Sequence, residues 1–308
     1  MRIVFMGTPE VAAYSLERLL GGPEPVVGVV TQPDRPAGRG QKTIPSPVYK
    51  VGESHSVPIL APEKIREPSF FDVLKNWAPD LIVVVAYGRI LPRRVLELAS
   101  HGCLNLHYSL LPKYRGAAPV AWTIINGEEK SGVTTMHLVE KMDAGPIFLQ
   151  REISVAPDDT TASLQAKLAP EGAELLMETI AGIKAANITP RAQNESEATY
   201  APILKKEDGL IDWSLSASAI ERRVRGLNPW PSAYTHLAGN LLKIHRARVV
   251  EMEQEAAPGE VVKADKDGLW VATGAGALIL EEVQLENRKR MTAGEFLNGT
   301  RLEKGARL

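Results

Sequence analysis

The sequence predicts an α/β chain, in which an open, largely parallel sheet covered by helices is followed by a small β-barrel. Three observations predict it. Strand-like and helix-like segments alternate through the first half. The run LIVVVA at 81–86 is apolar at every position, as strands buried on both faces are. The last third changes to short β-type runs separated by Gly, Asp and Asn. With 308 residues, 44% of them hydrophobic, the chain can bury a sizeable core in about two domains.

In chain order, RIVFMG is a buried-strand run ending in glycine. PEVAAYSLERLL has helical periodicity behind a proline near its start, and PVVGVVTQ is a second strand, which makes a βαβ opening. A helix near FFDVLKNWA, the strand LIVVVA, a helix after Pro92 and the strand CLNLHY continue the pattern. From Val133 the runs VTTMHLV and PIFLQREISV predict two further strands before a long helix over about 161–185. ANITPRAQNESEATYAP is polar and proline-punctuated without apolar periodicity, so an extended linker is expected there. Beyond a helix near 216–226, SAYTHLAG, NLLKIHRARVV, GEVVKAD, GLWVATG and GALILEEVQL read as the strands of the barrel. The boundaries are therefore set at 1–188 for the first domain, 189–205 for the linker and 206–308 for the second. No internal repeat or low-complexity tract interrupts them.

Composition excludes several classes of function. The 36 basic and 37 acidic residues give a net charge of −1, so nucleic-acid binding must rest on local basic patches. MRIVFMGTPE has one basic residue and a short apolar run, which fits neither a secretion signal nor a membrane span, and a cytoplasmic location is expected. A single cysteine, Cys103, excludes a disulfide framework and a Cys-rich metal site, and its apolar neighbours make it a packing residue.

The chemistry concentrates in NLHYSLLPKYRGAAP. Side chains at i and i+2 of a strand share a face, so Asn105 and His107 project together near the strand's C-terminal end, where open α/β sheets place their sites. An amide donor beside an imidazole suits an oxyanion developing on a carbonyl. Asp143, in the turn of EKMDAGPIF, could return over the sheet edge, orient His107 and favour its protonated form. Taken alone, each has a structural alternative: Asn-x-His arises by chance, and Asp143 could bond its own backbone. His101 in a loop and His137 in a strand read as structural.

LNLHYSLLPKYRGAAPVAW together with KMDAGPI resembles the formyltransferase family that uses 10-formyltetrahydrofolate. MRIVFMGTPEVA, VVTQPDRPAGRGQK, PSPVYKVG, VVVAYGRILP and NPWPSAYT are similar to the members acting on charged initiator tRNA, across essentially the whole chain. The resemblance implies a Rossmann-like formyltransferase domain followed by an OB-like tRNA-binding domain. It also implies attack of the α-amino group of methionine, esterified to the tRNA, on the folate-borne formyl carbon. Asn105 and protonated His107 would hold the oxyanion, and Asp143 would keep His107 charged and relay the amine proton. The folate is a co-substrate, with no permanent cofactor and no metal. Ser109, Leu110, Leu111 and Pro112 resemble the folate-contacting loop, and Ile90 and Leu91 should border the same pocket, enclosing the flat pterin.

PDRPAGRGQK places Arg35, Arg39 and Lys42 on a Gly- and Pro-rich loop that resembles the insertion entering the acceptor end of the tRNA, with Arg39 foremost. RRVRG at 222–226 and KIHRAR at 243–248 could add phosphate contacts. A monomer is expected. A nicotinamide oxidoreductase is disfavoured because MGTPEVA lacks G-x-G-x-x-G. A non-catalytic RNA-binding module leaves Asn105, His107 and Asp143 without a purpose. Formyl transfer to a sugar or purine precursor is the nearest alternative.

Overall fold

The computed structural model describes residues 1–37, 42–252, 256–265 and 268–308, with the backbone alone for 35–37 and 42–43. The chain forms two compact units. Met1–Pro119, Lys130–Ser154 and Gln165–Pro202 make the first; Val120–Glu129, Val155–Leu164 and Ile203–Leu308 make the second. Most of the stretch read as a linker therefore packs within the first unit.

The first unit opens with β1 (Ile3–Gly7), α1 (Glu10–Leu20) and β2 (Val26–Val30). All five residues of β1 are buried, as its apolar run requires of a central strand. α1 buries Ala12, Ala13, Leu16 and Leu19, with Glu10 in its first turn and Arg18 in its last, which suits the helix dipole. β3 (Arg35–Ala37) and β4 (Lys42–Ile44) pair antiparallel as a separate two-stranded sheet, Arg35 opposite Ile44 and Ala37 opposite Lys42. The basic segment expected as a loop is thus strand-paired at its flanks. Arg39 lies outside the described residues.

α2 (Pro47–Ser54) starts where the Ser46 hydroxyl accepts from the Tyr49 amide at 3.0 Å. β5 (Ile59–Leu60), α3 (Pro68–Trp77), β6 (Leu81–Val85), α4 (Arg93–Leu96), β7 (Cys103–His107) and β8 (Arg115–Gly116) follow. After α5 (Pro119–Ile125) come β9 (Lys130–His137), β10 (Ile147–Ser154), α6 (Thr161–Lys184) and β11 (Tyr200–Ala201).

The main sheet has the order β10-β9-β7-β6-β1-β2-β5. β7, β6, β1, β2 and β5 run parallel, whereas β9 is antiparallel to both β7 and β10. Apolar runs predict strands without their direction, so this reversal was not readable from VTTMHLV and PIFLQREISV. One face of the sheet packs Val4, Met6, Val30, Ile82 and Val84 with Phe70 and Leu74 of α3 and with Cys103. The alternate residues Ile3, Phe5, Val29 and Val83 are equally buried, so both faces are covered.

The second unit contains α7 (Ala217–Gly226), β12 (Ala233–Leu237), β13 (Asn240–Val250), β14 (Val261–Asp265), β15 (Gly268–Ala272), β16 (Ala277–Leu285), β17 (Met291–Thr292) and α8 (Ala293–Gly299). Its antiparallel sheet has the order β12-β13-β16-β15-β14, with β17 on β16. Among the described residues no strand pairing joins β14 to β12. Register shifts around Arg246 in β13 bend the longest strand pair. α7 buries Ile220 and Val224, four residues apart, and Ser216 caps it by accepting from the Ala219 amide at 3.3 Å. Thr292 and Glu295 form a capping box on α8, a helix too short to announce itself by periodicity.

Candidate active site

β7 changes character along its length. Cys103, Asn105 and His107 share one face, with Leu104 and Leu106 on the other. Cys103 sits in the apolar core, where burial pushes its thiol up to about 12, so it packs and does not react. Asn105 is only 8% exposed, yet its side-chain amide bonds no group among the described residues. An unpaired amide at the mouth of a parallel sheet is free to donate to a bound substrate.

His107 is held from both ends. Its Nε2 lies 2.9 Å from the Tyr114 carbonyl, which only accepts, so Nε2 carries the proton. Its Nδ1 lies 3.8 Å from Asp143 Oδ2, beyond a direct hydrogen bond. Nδ1 is the nitrogen not committed to backbone, and the 3.8 Å gap to Asp143 leaves it open to a further partner.

Asp143 stands between β9 and β10 with φ at 49°, a left-handed conformation that aspartate tolerates. Its Oδ2 accepts from the Gly116 amide at 2.8 Å. Two glycines permit this arrangement. A Cβ on Gly145 would lie 1.7 Å from the His137 carbonyl oxygen, and Gly116, at φ +126°, would set one 2.4 Å from that of Ala201. Tyr114 and Ala86 also have positive φ, at 62° and 45°. Such conformations at strand ends of an open sheet mark a site whose geometry is imposed by its surroundings.

The residues expected to line the donor pocket take different positions. Ser109 is buried; its hydroxyl donates to the Lys113 carbonyl at 2.7 Å, and its own carbonyl accepts from Thr134 Oγ1 at 2.6 Å. Leu111 packs with Met136 and Ile147, and its carbonyl accepts from Gln150 Nε2 at 2.8 Å. Leu91 is part of the core under β6. Leu110 and Pro112 are half-buried, and Ile90 is 78% exposed. Ser109, Leu111 and Leu91 therefore shape the loops from within, while Leu110, Pro112 and Ile90 present accessible surface. A concavity lined by Arg93, Leu96, Glu97, His137, Leu138, Val139, Glu140 and Lys141 is bordered by none of the six.

His137 is half-buried with its protonated form disfavoured by burial, and its ring packs over Gly102, while His101 is exposed; neither joins the site. The arginines of 222–226 are engaged inside the second unit. Arg222 donates to the Ile125 carbonyl, Arg223 to that of Asp208, and Arg225 to that of Asp159. Arg246 and Arg248 pair with Glu281, and Arg246 also with Glu282. Tyr114 and Gly116, which hold His107 and Asp143 through backbone groups, and Arg115 between them, whose side chain is wholly buried, were not singled out by the sequence. Only the density of small residues in RGAAP hinted at a tightly packed turn.

Residues 1–180 match the formyl transferase family and 203–301 match the formyl transferase C-terminal domain. The chain is 48% identical over 308 residues to a methionyl-tRNA formyltransferase of Citrifermentans bemidjiense, covering 100% of this chain and 96% of that one. It is 49% identical over 302 residues to one from Desulfotalea psychrophila, covering 98% and 94%. The chain belongs to the methionyl-tRNA formyltransferase family. Among solved structures, the N-formyltransferase from Helicobacter canadensis in complex with folinic acid and dTDP-3-aminofucose superposes with a TM-score of 0.66 at 17% identity, over 94% of this chain and 99% of that one. At that identity the likeness is one of fold, and the sugar acceptor remains a property of the Helicobacter protein. Membership in the methionyl-tRNA formyltransferase family agrees with the resemblance carried by the motifs around Asn105, His107 and Asp143.

Proposed function

We propose that this member transfers the formyl group of 10-formyltetrahydrofolate to the α-amino group of methionine on initiator tRNA, with Asn105, His107 and Asp143 as its catalytic residues. The observation that carries the assignment of the site is the approach of His107 Nδ1 to Asp143 Oδ2, at 3.8 Å, on the strand that also presents the Asn105 amide, which has no hydrogen-bond partner among the described residues. The amine nitrogen attacks the formyl carbon, an N–C bond forms, and the carbonyl electrons move onto oxygen. The Asn105 amide and the His107 imidazolium donate to that oxyanion. Asp143 keeps His107 protonated and takes the amine proton, directly or through one water. Collapse breaks the bond to the folate nitrogen, which leaves by taking up the proton that Asp143 accepted from the amine.

Leu110, Pro112 and Ile90 offer apolar surface to the donor, with Ser109, Leu111 and Leu91 fixing the loops that carry them. The segment bearing Arg35, Arg39 and Lys42 meets the acceptor end of the tRNA. We read the first unit as Rossmann-like and the second as OB-like and tRNA-binding, with the functional division at 1–188 and 206–308, and the protein as a cytoplasmic monomer. No described helix is long and apolar enough to cross a membrane. Transfer to a sugar or purine precursor would leave the basic segment at 33–42 and the second unit without a substrate to meet. The test is a donor labelled in its formyl carbon, incubated with methionyl initiator tRNA. N-formylmethionine released from the tRNA should carry the label; donor turnover without labelled methionine would refute the assignment.

A further inference from the structure

The carboxylate of Asp143 is held at one point, but its backbone is held from the far side by a segment distant in sequence. The side-chain nitrogen of Gln193 donates to the carbonyl oxygens of Asp143 and Gly145, at 2.8 and 2.7 Å. The opposite end of the same amide accepts from Arg115 Nε at 3.1 Å and Nη2 at 2.8 Å. Because guanidinium only donates and carbonyl only accepts, the amide has one orientation here. Arg115 is completely buried, and Glu195 supplies its counter-charge at 2.9 Å from Nη2 and 3.2 Å from Nη1. Glu195 also accepts from Lys141 Nζ at 2.6 Å, in the loop that leads to Asp143.

The residues flanking Arg115 touch the catalytic pair directly. The Tyr114 carbonyl accepts from His107 Nε2, and the Gly116 amide donates to Asp143 Oδ2. Their backbone is fixed by the same distant segment, since the Arg115 amide donates to the Thr199 carbonyl at 2.9 Å and β8 pairs with β11. One clasp therefore spans both supports of the site. Its arginine lies between the two backbone groups, and its glutamine bridges that arginine to the turn carrying Asp143.

We infer that Gln193 and Arg115, with Glu195 as counter-ion, are positioning residues that set Asp143 against His107 for formyl transfer. The inference rests on the function proposed above. It gives the stretch 191–201 a part in catalysis that a connecting segment would not have. A displacement of about 1 Å at a reacting group costs on the order of 100-fold in rate, so this support belongs to the rate and not to substrate affinity.

Gln193→Glu is the discriminating variant. It keeps length and a partner for Arg115 but removes both donors to the turn. We expect kcat to fall about 10- to 100-fold while KM for donor and for charged tRNA stays within about threefold. Site-resolved hydrogen exchange gives a readout that needs no substrate. The Gly116 amide, bonded to Asp143, should exchange at least about tenfold faster than in the wild type, a protection difference of about 1.4 kcal/mol, while the Arg115 amide, bonded to the Thr199 carbonyl, stays protected. Gln193→Met, which adds no charge, should give the same pattern and serves if the glutamate variant does not fold. Wild-type kcat together with unchanged Gly116 exchange in a folded variant would overturn the inference. A wild-type enzyme inactive on charged tRNA would instead refute the proposed function, leaving the exchange experiment to judge the clasp.

Discussion

Asn105→Ala separates a catalytic residue from a structural one. In a strand, an asparagine retained for structure hydrogen-bonds its neighbours, and truncating it costs stability. Asn105 bonds nothing among the described residues although it is 8% exposed. Among the described residues the fully buried side-chain polar atoms without a partner belong to Tyr87, Ser131 and Trp270 and not to Asn105, so its amide keeps access to water and truncation removes no hydrogen bond on which the fold depends. The melting temperature should stay within about 2 °C of wild type, given roughly 2–4 °C per kcal/mol for domains of this size. Turnover should behave oppositely. Loss of one oxyanion donor costs about 2.7–4 kcal/mol of transition-state stabilisation, or about 100- to 1000-fold in kcat. Thermal melts and single-turnover formyl transfer on one preparation give both numbers. A fall of more than about 5 °C, or a kcat within a few-fold of wild type, would show that the residue serves the fold.

Other expectations follow from the same geometry. His107→Ala and Asp143→Asn should each remove most turnover, by about 100-fold or more, with circular dichroism unchanged; a folded variant of near wild-type turnover would contradict the assignment. Arg39→Ala should impair use of charged tRNA while donor affinity persists, and the loss should grow with salt if the contact is to phosphate and alter initiator-to-elongator discrimination if it is to a base. Unchanged tRNA kinetics at two salt concentrations would show that the segment has no part in tRNA binding. Glu195 is held down to about 2, first by its hydrogen bonds from Arg115 and then by those from Lys141. A depressed carboxylate stabilises the fold above its unfolded value, so this contribution should fade as pH falls from about 4.5 to about 2. Glu195→Gln should flatten the melting-temperature profile across that window; a profile with wild-type slope would disprove the coupling.

The sequence carried the fold where burial imposes a pattern and lost it where polar contacts do. LIVVVA and RIVFMG were legible because a strand covered on both faces has no polar position to spare. The antiparallel turn of β9 was not, since strand direction depends on the connection and not on the run. α5 and α8 are shorter than two full cycles of an amphipathic pattern, which left them silent. Asn105 and His107 were readable together because a spacing of two fixes a shared face, and Asp143 became readable through the resemblance of KMDAGPI. Arg115 and Gln193 were not. Their bond joins residues 78 apart in sequence, and the segment holding Gln193 looks like a linker because its fixation comes from side-chain amides and carboxylates that leave no periodicity.

The identity of the acceptor separates transfer to initiator tRNA from transfer to a small-molecule precursor. The most direct measurement compares kcat/KM for formyl transfer from 10-formyltetrahydrofolate to methionyl initiator tRNA, methionyl elongator tRNA and glycinamide ribonucleotide, side by side with one enzyme preparation. The account predicts efficient transfer to the initiator, weak transfer to the elongator and none to the small acceptor; activity on glycinamide ribonucleotide alone would contradict it.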